Sequence, residues 1–153
     1  MIIHLSFRNI FFLFITTLIF ISCDKKATNP TAPGSPTQLE KYFEDNVISK
    51  DFIVNKAINN GVDLTANYSG YTFKLLKTDY YHGPIEAKKN TNVYAGTWSS
   101  NDDYSKLVIN LPSTPSEFVF LTREWRFTSK ALPQLELAPW GSTEPLVLHM
   151  LRQ

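Results

Sequence analysis

The stretch NVYAGTWSSNDDYSKLVINLP, Asn92 to Pro112, decides how the rest of the chain is read. Two β-rich runs, NVYAGTWSS and SKLVINLP, flank Asn101-Asp102-Asp103, and short polar side chains between two such runs punctuate an antiparallel hairpin. Gly96 stands where a strand can bend, and Trp98 where a large ring can plug the space that a curved sheet encloses. A curved antiparallel sheet is the expectation from this segment alone.

Working outward, the same grammar recurs on both sides. Upstream lie DFIVNKAINNG (Asp51 to Gly61), closed by the Asn59-Asn60-Gly61 turn signal, then YTFKLLKTD and GPIEAKK. In YTFKLLKTD, Tyr71, Phe73 and Leu75 share one face, while Thr72, Lys74 and Thr78 lie mainly on the other. Downstream follow EWRFTSKAL, QLELAPW and PLVLHMLRQ, separated by the proline-rich Pro112 to Ser116, Pro133 and Gly141-Ser142-Thr143. Short strands at roughly ten-residue spacing specify an antiparallel barrel or sandwich, and the connections leave no room for the helical crossovers of a parallel sheet. About eight strands are expected.

One helix precedes them. Thr37 and Glu40 fit the T-x-x-E capping box, in which each side chain accepts from an otherwise unpaired backbone N–H of the first turn. Leu39, Tyr42, Phe43 and Val47 then fall on one apolar stripe, expected to pack on the rest of the domain.

With these pieces in place, the order NNGVDLT, YSGYTFKL, YAGTWSSNDDYSKLVINL, EWRF, LEL, LVLHM resembles the lipocalin-like domains of small Gram-negative envelope lipoproteins, a family whose function is largely uncharacterised. Asn60, Gly61, Asp63 and Thr65, then Gly70, Tyr71 and Phe73, then Gly96, Thr97, Trp98, Asp102, Asp103, Lys106, Leu107, Ile109 and Trp125 occupy the positions that carry the likeness. It covers about Asp51 to the C-terminus and departs from the family pattern in YYHGPIEAKKNTNV and PSTPSEFVFLTREW. The resemblance implies a mostly β fold: a small antiparallel lipocalin-like β-barrel of about eight strands, preceded by one short N-terminal α-helix. Tyr71, Phe73, Trp98, Trp125 and Phe127 are the expected barrel core.

The N-terminus speaks to location. Ile10 to Ile21 is an uncharged, apolar run interrupted only by Thr16-Thr17 after Arg8, the length of a signal-peptide core and short of the roughly 20 residues that span a bilayer. Phe20-Ile21-Ser22-Cys23 resembles the lipobox of bacterial lipoprotein precursors, which implies removal of residues 1–22 and lipidation of Cys23, the single cysteine. Residues 23–36 then read as the lipidated cysteine and a disordered Pro/Thr/Ser stalk, and residues 37–153 as a single helix-plus-barrel domain. Several acyl chains on one residue anchor stably where one is marginal. The expected localisation is the Gram-negative cell envelope, with the outer membrane favoured over the inner.

Charge narrows the partners. Without Arg8, fourteen Lys and Arg balance fourteen Asp and Glu, so no basic stripe serves phosphate and nucleic acid is not an expected partner. His82 and His149 have no ligand partner at metal spacing, Asn101-Asp102-Asp103 lacks the further oxygens of a Ca²⁺ loop, and neither G-x-S-x-G nor S-x-x-K occurs. No metal, cofactor or catalytic residue is therefore assigned. Tyr80, Tyr81 and Trp140, in expected loops, are candidate ligand or docking aromatics. Arg123 shares a strand face with Trp125 and Phe127, and becomes a barrel-mouth cation for an acidic ligand if that face is inward. The expected function is a monomeric, non-enzymatic binding or interaction module for a small apolar or amphiphilic ligand or an envelope protein. The alternative is a surface protein that binds or hydrolyses glycans.

Overall fold

A computed structural model describes residues 35–153. The expected signal peptide, Cys23 and nearly all of the expected stalk lie outside the described residues. Nine strands in sequence order are β1 (Asp51–Asn59), β2 (Val62–Asp63), β3 (Tyr71–Leu75), β4 (His82–Lys89), β5 (Asn92–Ser100), β6 (Lys106–Asn110), β7 (Arg123–Ser129), β8 (Gln134–Pro139) and β9 (Leu146–Arg152). Each strand from β3 to β9 pairs with its sequence neighbour, β1 pairs with β3, and β9 returns to β1, so eight antiparallel strands close into a barrel. The two-residue β2 hangs on the end of β1. Closure leaves the barrel without an open sheet edge, which removes the pairing hazard of exposed edge strands.

The turn chemistry works as the residues require. Asn60 and Gly61 both adopt positive φ, 50° and 83°, a conformation that Asn tolerates and Gly adopts freely. At the other end of the same strand, α1 (Gln38–Asn46) starts from the expected capping box: Thr37 Oγ1 accepts from the Glu40 N–H at 3.1 Å, and the Glu40 carboxylate accepts from the Thr37 N–H.

Both barrel ends are closed by side chains. At one end α1 lays Phe43 across the opening, its ring 4.2 Å from Tyr104 and 6.1 Å from both Trp98 and Phe127, centroid to centroid. At the other end stand a 3₁₀ turn, Thr65–Tyr68, and the one-turn α2 (Phe118–Leu121). There Phe118 packs edge-on against Tyr71 and Tyr94 at 5.3 Å each, and Phe120 against Trp125 at 5.5 Å. Between the plugs, Tyr71, Phe73, Trp98 and Trp125 are buried, joined by Phe52, Ile85, Leu107, Ile109, Leu137 and Leu148. Phe127 is half-buried rather than fully internal, because it sits near the end of β7 where the ladder shifts register.

The polar atoms of these rings are satisfied, as burial demands. Trp98 Nε1 donates to the Leu76 carbonyl at 2.7 Å and Trp125 Nε1 to that of Leu121 at 3.0 Å. Tyr104 donates to the Tyr80 carbonyl at 2.6 Å, and Tyr68 to that of Glu117 at 2.7 Å. Among the described residues no buried side-chain nitrogen or oxygen lacks a partner. No helix among them is long and apolar enough to cross a membrane.

Candidate functional site

An open groove of about 640 Å³ lies at the α2 end of the barrel. Four separate segments build it: Asn59 at the end of β1, Leu64 to Tyr68 beside the 3₁₀ turn, Lys89 at the end of β4, and Ser116 to Arg123 around α2. It lies outside the plug formed by Tyr68 and Phe120, so it is a surface site and not an entrance to the barrel interior.

Arg123 lies at this mouth. The inward orientation of Trp125 places Arg123 on the same side, and its Nε donates to the Phe120 carbonyl at 2.8 Å. Its guanidinium carbon stands 5.2 Å from the Phe120 ring centroid and 5.4 Å from that of Trp125, a geometry in which aromatic faces stabilise a cation. Glu124 and Arg126 point to solvent, and Glu124 pairs with Lys106 at 2.8 Å.

Lys89, which no local motif marks, is the second cation of the groove. Gly70, at φ 81°, leaves space that the Lys89 stem approaches, with Cε 3.7 Å from where a Cβ would stand. The ammonium then rests 4.6 Å from the Tyr71 ring centroid. Tyr71 in turn donates to Glu117 Oε1 at 2.9 Å, so the only carboxylate lining the groove is held from below. Burial, and the bond to Glu117, push the Tyr71 hydroxyl up to about 12, which keeps it protonated and donating. Burial likewise raises the Tyr68 hydroxyl, opposed by the nearby Arg123 charge.

The three candidate aromatics do not converge. Tyr80 and Tyr81 lie in the β3–β4 connection at the α1 end, whereas Trp140 lies in the β8–β9 connection at the opposite end. Tyr81 is committed to structure: its hydroxyl donates to Glu40 of α1, its ring lies 5.6 Å from Tyr104, and the Glu40 bond helps to raise its pKa to about 12. Tyr80 sits under the Lys77 ammonium at 3.9 Å. Trp140 is 36% exposed, with Lys106 Nζ at 5.2 Å from its ring.

His82 does have a carboxylate neighbour, contrary to its reading from spacing, since Asp79 Oδ2 stands 2.9 Å from its Nδ1. That contact belongs to a turn, in which Asp79 Oδ1 also accepts from the backbone N–H groups of Tyr81 and His82. Among the described residues no cluster of three or more His, Cys, Asp or Glu side chains could hold a metal ion. The turn reading of Asp103 agrees with its acceptance from the Ser105 N–H at 2.8 Å.

Fold and site together define a small, closed, lipocalin-like β-barrel with a filled interior and a polar groove over one plugged end. Among solved structures the chain is similar to a DUF4847 family protein from Bacteroides vulgatus ATCC 8482, with 17% identity and a TM-score of 0.51. The likeness covers 71% of this chain and 95% of that one, and it shows the fold. No protein-family model matches the chain, and no curated protein matches it.

Proposed function

We propose that the protein is an exported lipoprotein of a Gram-negative cell envelope, anchored through lipidated Cys23, that acts as a non-enzymatic binding module and recognises its ligand on the outside of the barrel. The single observation behind surface recognition is the double plug. Phe43 with Tyr104 at one end, and Tyr68 with Phe118 and Phe120 at the other, occupy the space in which an open lipocalin-type barrel would hold a guest. The groove over α2 offers the volume that small-ligand sites use. It presents a single carboxylate, Glu117, whereas glycoside hydrolysis ordinarily employs a pair flanking the bond to be cut. The anchoring half of the proposal is supported by Phe20-Ile21-Ser22-Cys23 closing the apolar run and preceding the polar stalk.

Native mass spectrometry of the protein isolated from its own membranes tests the recognition half. A co-purifying small molecule, displaced by substitutions in the groove and not by substitutions of core rings, is the expected result. Consumption of that molecule on incubation would instead make the protein an enzyme. For the anchor, Cys23→Ser should abolish acyl labelling and release the protein from the membrane fraction; an unchanged fraction would refute it.

A further inference from the structure

We propose that the groove over α2 is a binding site for an acidic sugar, whose carboxylate meets Arg123 and Lys89 and whose hydroxyls meet Asn59, Asn67 and Glu117. This rests on the surface-recognition reading above and gives it a ligand class.

The charges come first. Arg123 and Lys89 both line the groove against one carboxylate, and neither forms a salt bridge among the described residues. Arg123 is tethered by its Nε to the Phe120 carbonyl and flanked by two rings, which fixes the guanidinium while leaving its terminal N–H groups for a guest. A planar fork held in this way matches a carboxylate with little ordering cost on binding. Lys89 is steadied by Gly70 and the Tyr71 ring, and supplies a second positive charge at the same mouth.

Glu117 decides between anions. Tyr71 holds it as an acceptor, so it can receive a hydroxyl hydrogen from a ligand, while its negative charge opposes a multiply charged phosphate. The Asn67 side chain makes no hydrogen bond within the described residues, and the Asn59 amide uses only its oxygen, accepting from Asn60 at 3.1 Å. Free amide groups, a held carboxylate and two cations suit one carboxylate ringed by hydroxyls. An acyl chain laid here would cover those groups without satisfying them, at a desolvation cost.

The test is calorimetric titration of the full chain in mild detergent with glucuronate, glucose, decanoate and inorganic phosphate. Glucuronate should bind in preference to the other three, and Arg123→Gln should weaken it by about tenfold or more, as loss of a charge-assisted hydrogen bond does. Lys89→Gln and Asn67→Ala should each weaken it several-fold. These two leave the Arg123 tether intact, so they stand if Arg123→Gln melts early. Raising salt from about 0.05 M to about 0.5 M should weaken glucuronate and leave glucose unaffected. Equal binding of glucose, binding insensitive to these substitutions, or no binding of glucuronate would overturn the acidic-sugar site. Binding of decanoate or phosphate alone would overturn it while leaving surface recognition intact; turnover would overturn the non-enzymatic reading, and a guest inside the barrel would overturn surface recognition itself.

Discussion

The Phe43 ring lies nearly parallel to Tyr104, 28° between planes with centroids 4.2 Å apart, so the helix before the barrel and the β5–β6 turn close the same opening. Both rings are fully buried. The helix is thus part of the barrel's core and not an appendage on its surface. Further ties run around the rim: Tyr42 donates to the Lys130 carbonyl at 2.8 Å, and Ile48 bridges to Leu75.

Phe43→Ala should therefore cost about 3–5 kcal/mol, the range for deleting a buried phenyl ring. Urea unfolding followed by far-UV circular dichroism measures it. A loss below about 1 kcal/mol would mean that α1 is detachable and the barrel is closed by something else.

Gly83 is a second point where the α1 end is set. A Cβ there would clash with the Leu76 carbonyl oxygen, the same oxygen that accepts from Trp98 Nε1. Since Leu76 N–H also donates to the Pro84 carbonyl at 2.8 Å, the β3–β4 connection folds directly back onto Gly83. Gly83→Ala should displace that connection and the Trp98 bond together, lowering the melting temperature by several degrees or more and blue- or red-shifting Trp fluorescence. Gly61→Ala is the control for backbone strain without contact, because nothing lies within 4 Å of its added methyl.

The filled interior makes its own prediction. Parent protein should give no stoichiometric enhancement of an apolar fluorescent fatty acid, whereas Phe118→Ala, by opening space beside Tyr71, Phe73 and Tyr94, should admit a small apolar guest such as benzene. One-to-one uptake of the fatty acid by the parent would show that the plugs open in solution.

Much of this architecture is legible in the residues, for identifiable reasons. All eight barrel strands carry β-rich runs between turn signals, and the helix announces itself through Thr37 and Glu40. Three elements show no period of their own: β2, the 3₁₀ turn and α2 span two, four and four residues, too few to display one. Tyr104 escapes for another reason. Local chemistry assigns its segment to a turn, correctly, and its φ of 50° agrees, yet only the fold brings Phe43 over its ring and the Tyr80 carbonyl to its hydroxyl. Tyr42 errs the other way, lying on the apolar stripe but remaining 37% exposed because its hydroxyl reaches the Lys130 carbonyl. The groove could be anticipated only at Arg123, through strand alternation, and its other walls come from segments far apart in sequence. The nearest signal was FVFL, Phe118 to Leu121, an apolar island within a proline-broken connection.

The bond from Tyr81 to Glu40 ties stability to pH at both extremes. It holds the Glu40 carboxyl below its ordinary 4.5, helped by the Thr37 N–H, and it raises the Tyr81 hydroxyl from 10 to about 12. A lowered carboxyl contributes stability that is complete above its unfolded pKa and is lost as pH falls through the folded one. A raised phenol contributes stability that is complete below its unfolded pKa and is lost as pH rises through the folded one. Stability should accordingly be flat between about pH 5 and pH 9 and fall on both sides. Glu40→Gln should shallow the acid limb without abolishing it, because turn hydrogen bonds hold Asp63, Asp79 and Asp103 below their ordinary values as well. Tyr81→Phe should shallow the alkaline limb without abolishing it, because Tyr71 also titrates near 12. Urea midpoints measured across pH, with phenolate absorbance followed at the alkaline end, check this. Unchanged limbs in both variants would show that the Tyr81–Glu40 contact does not persist in solution.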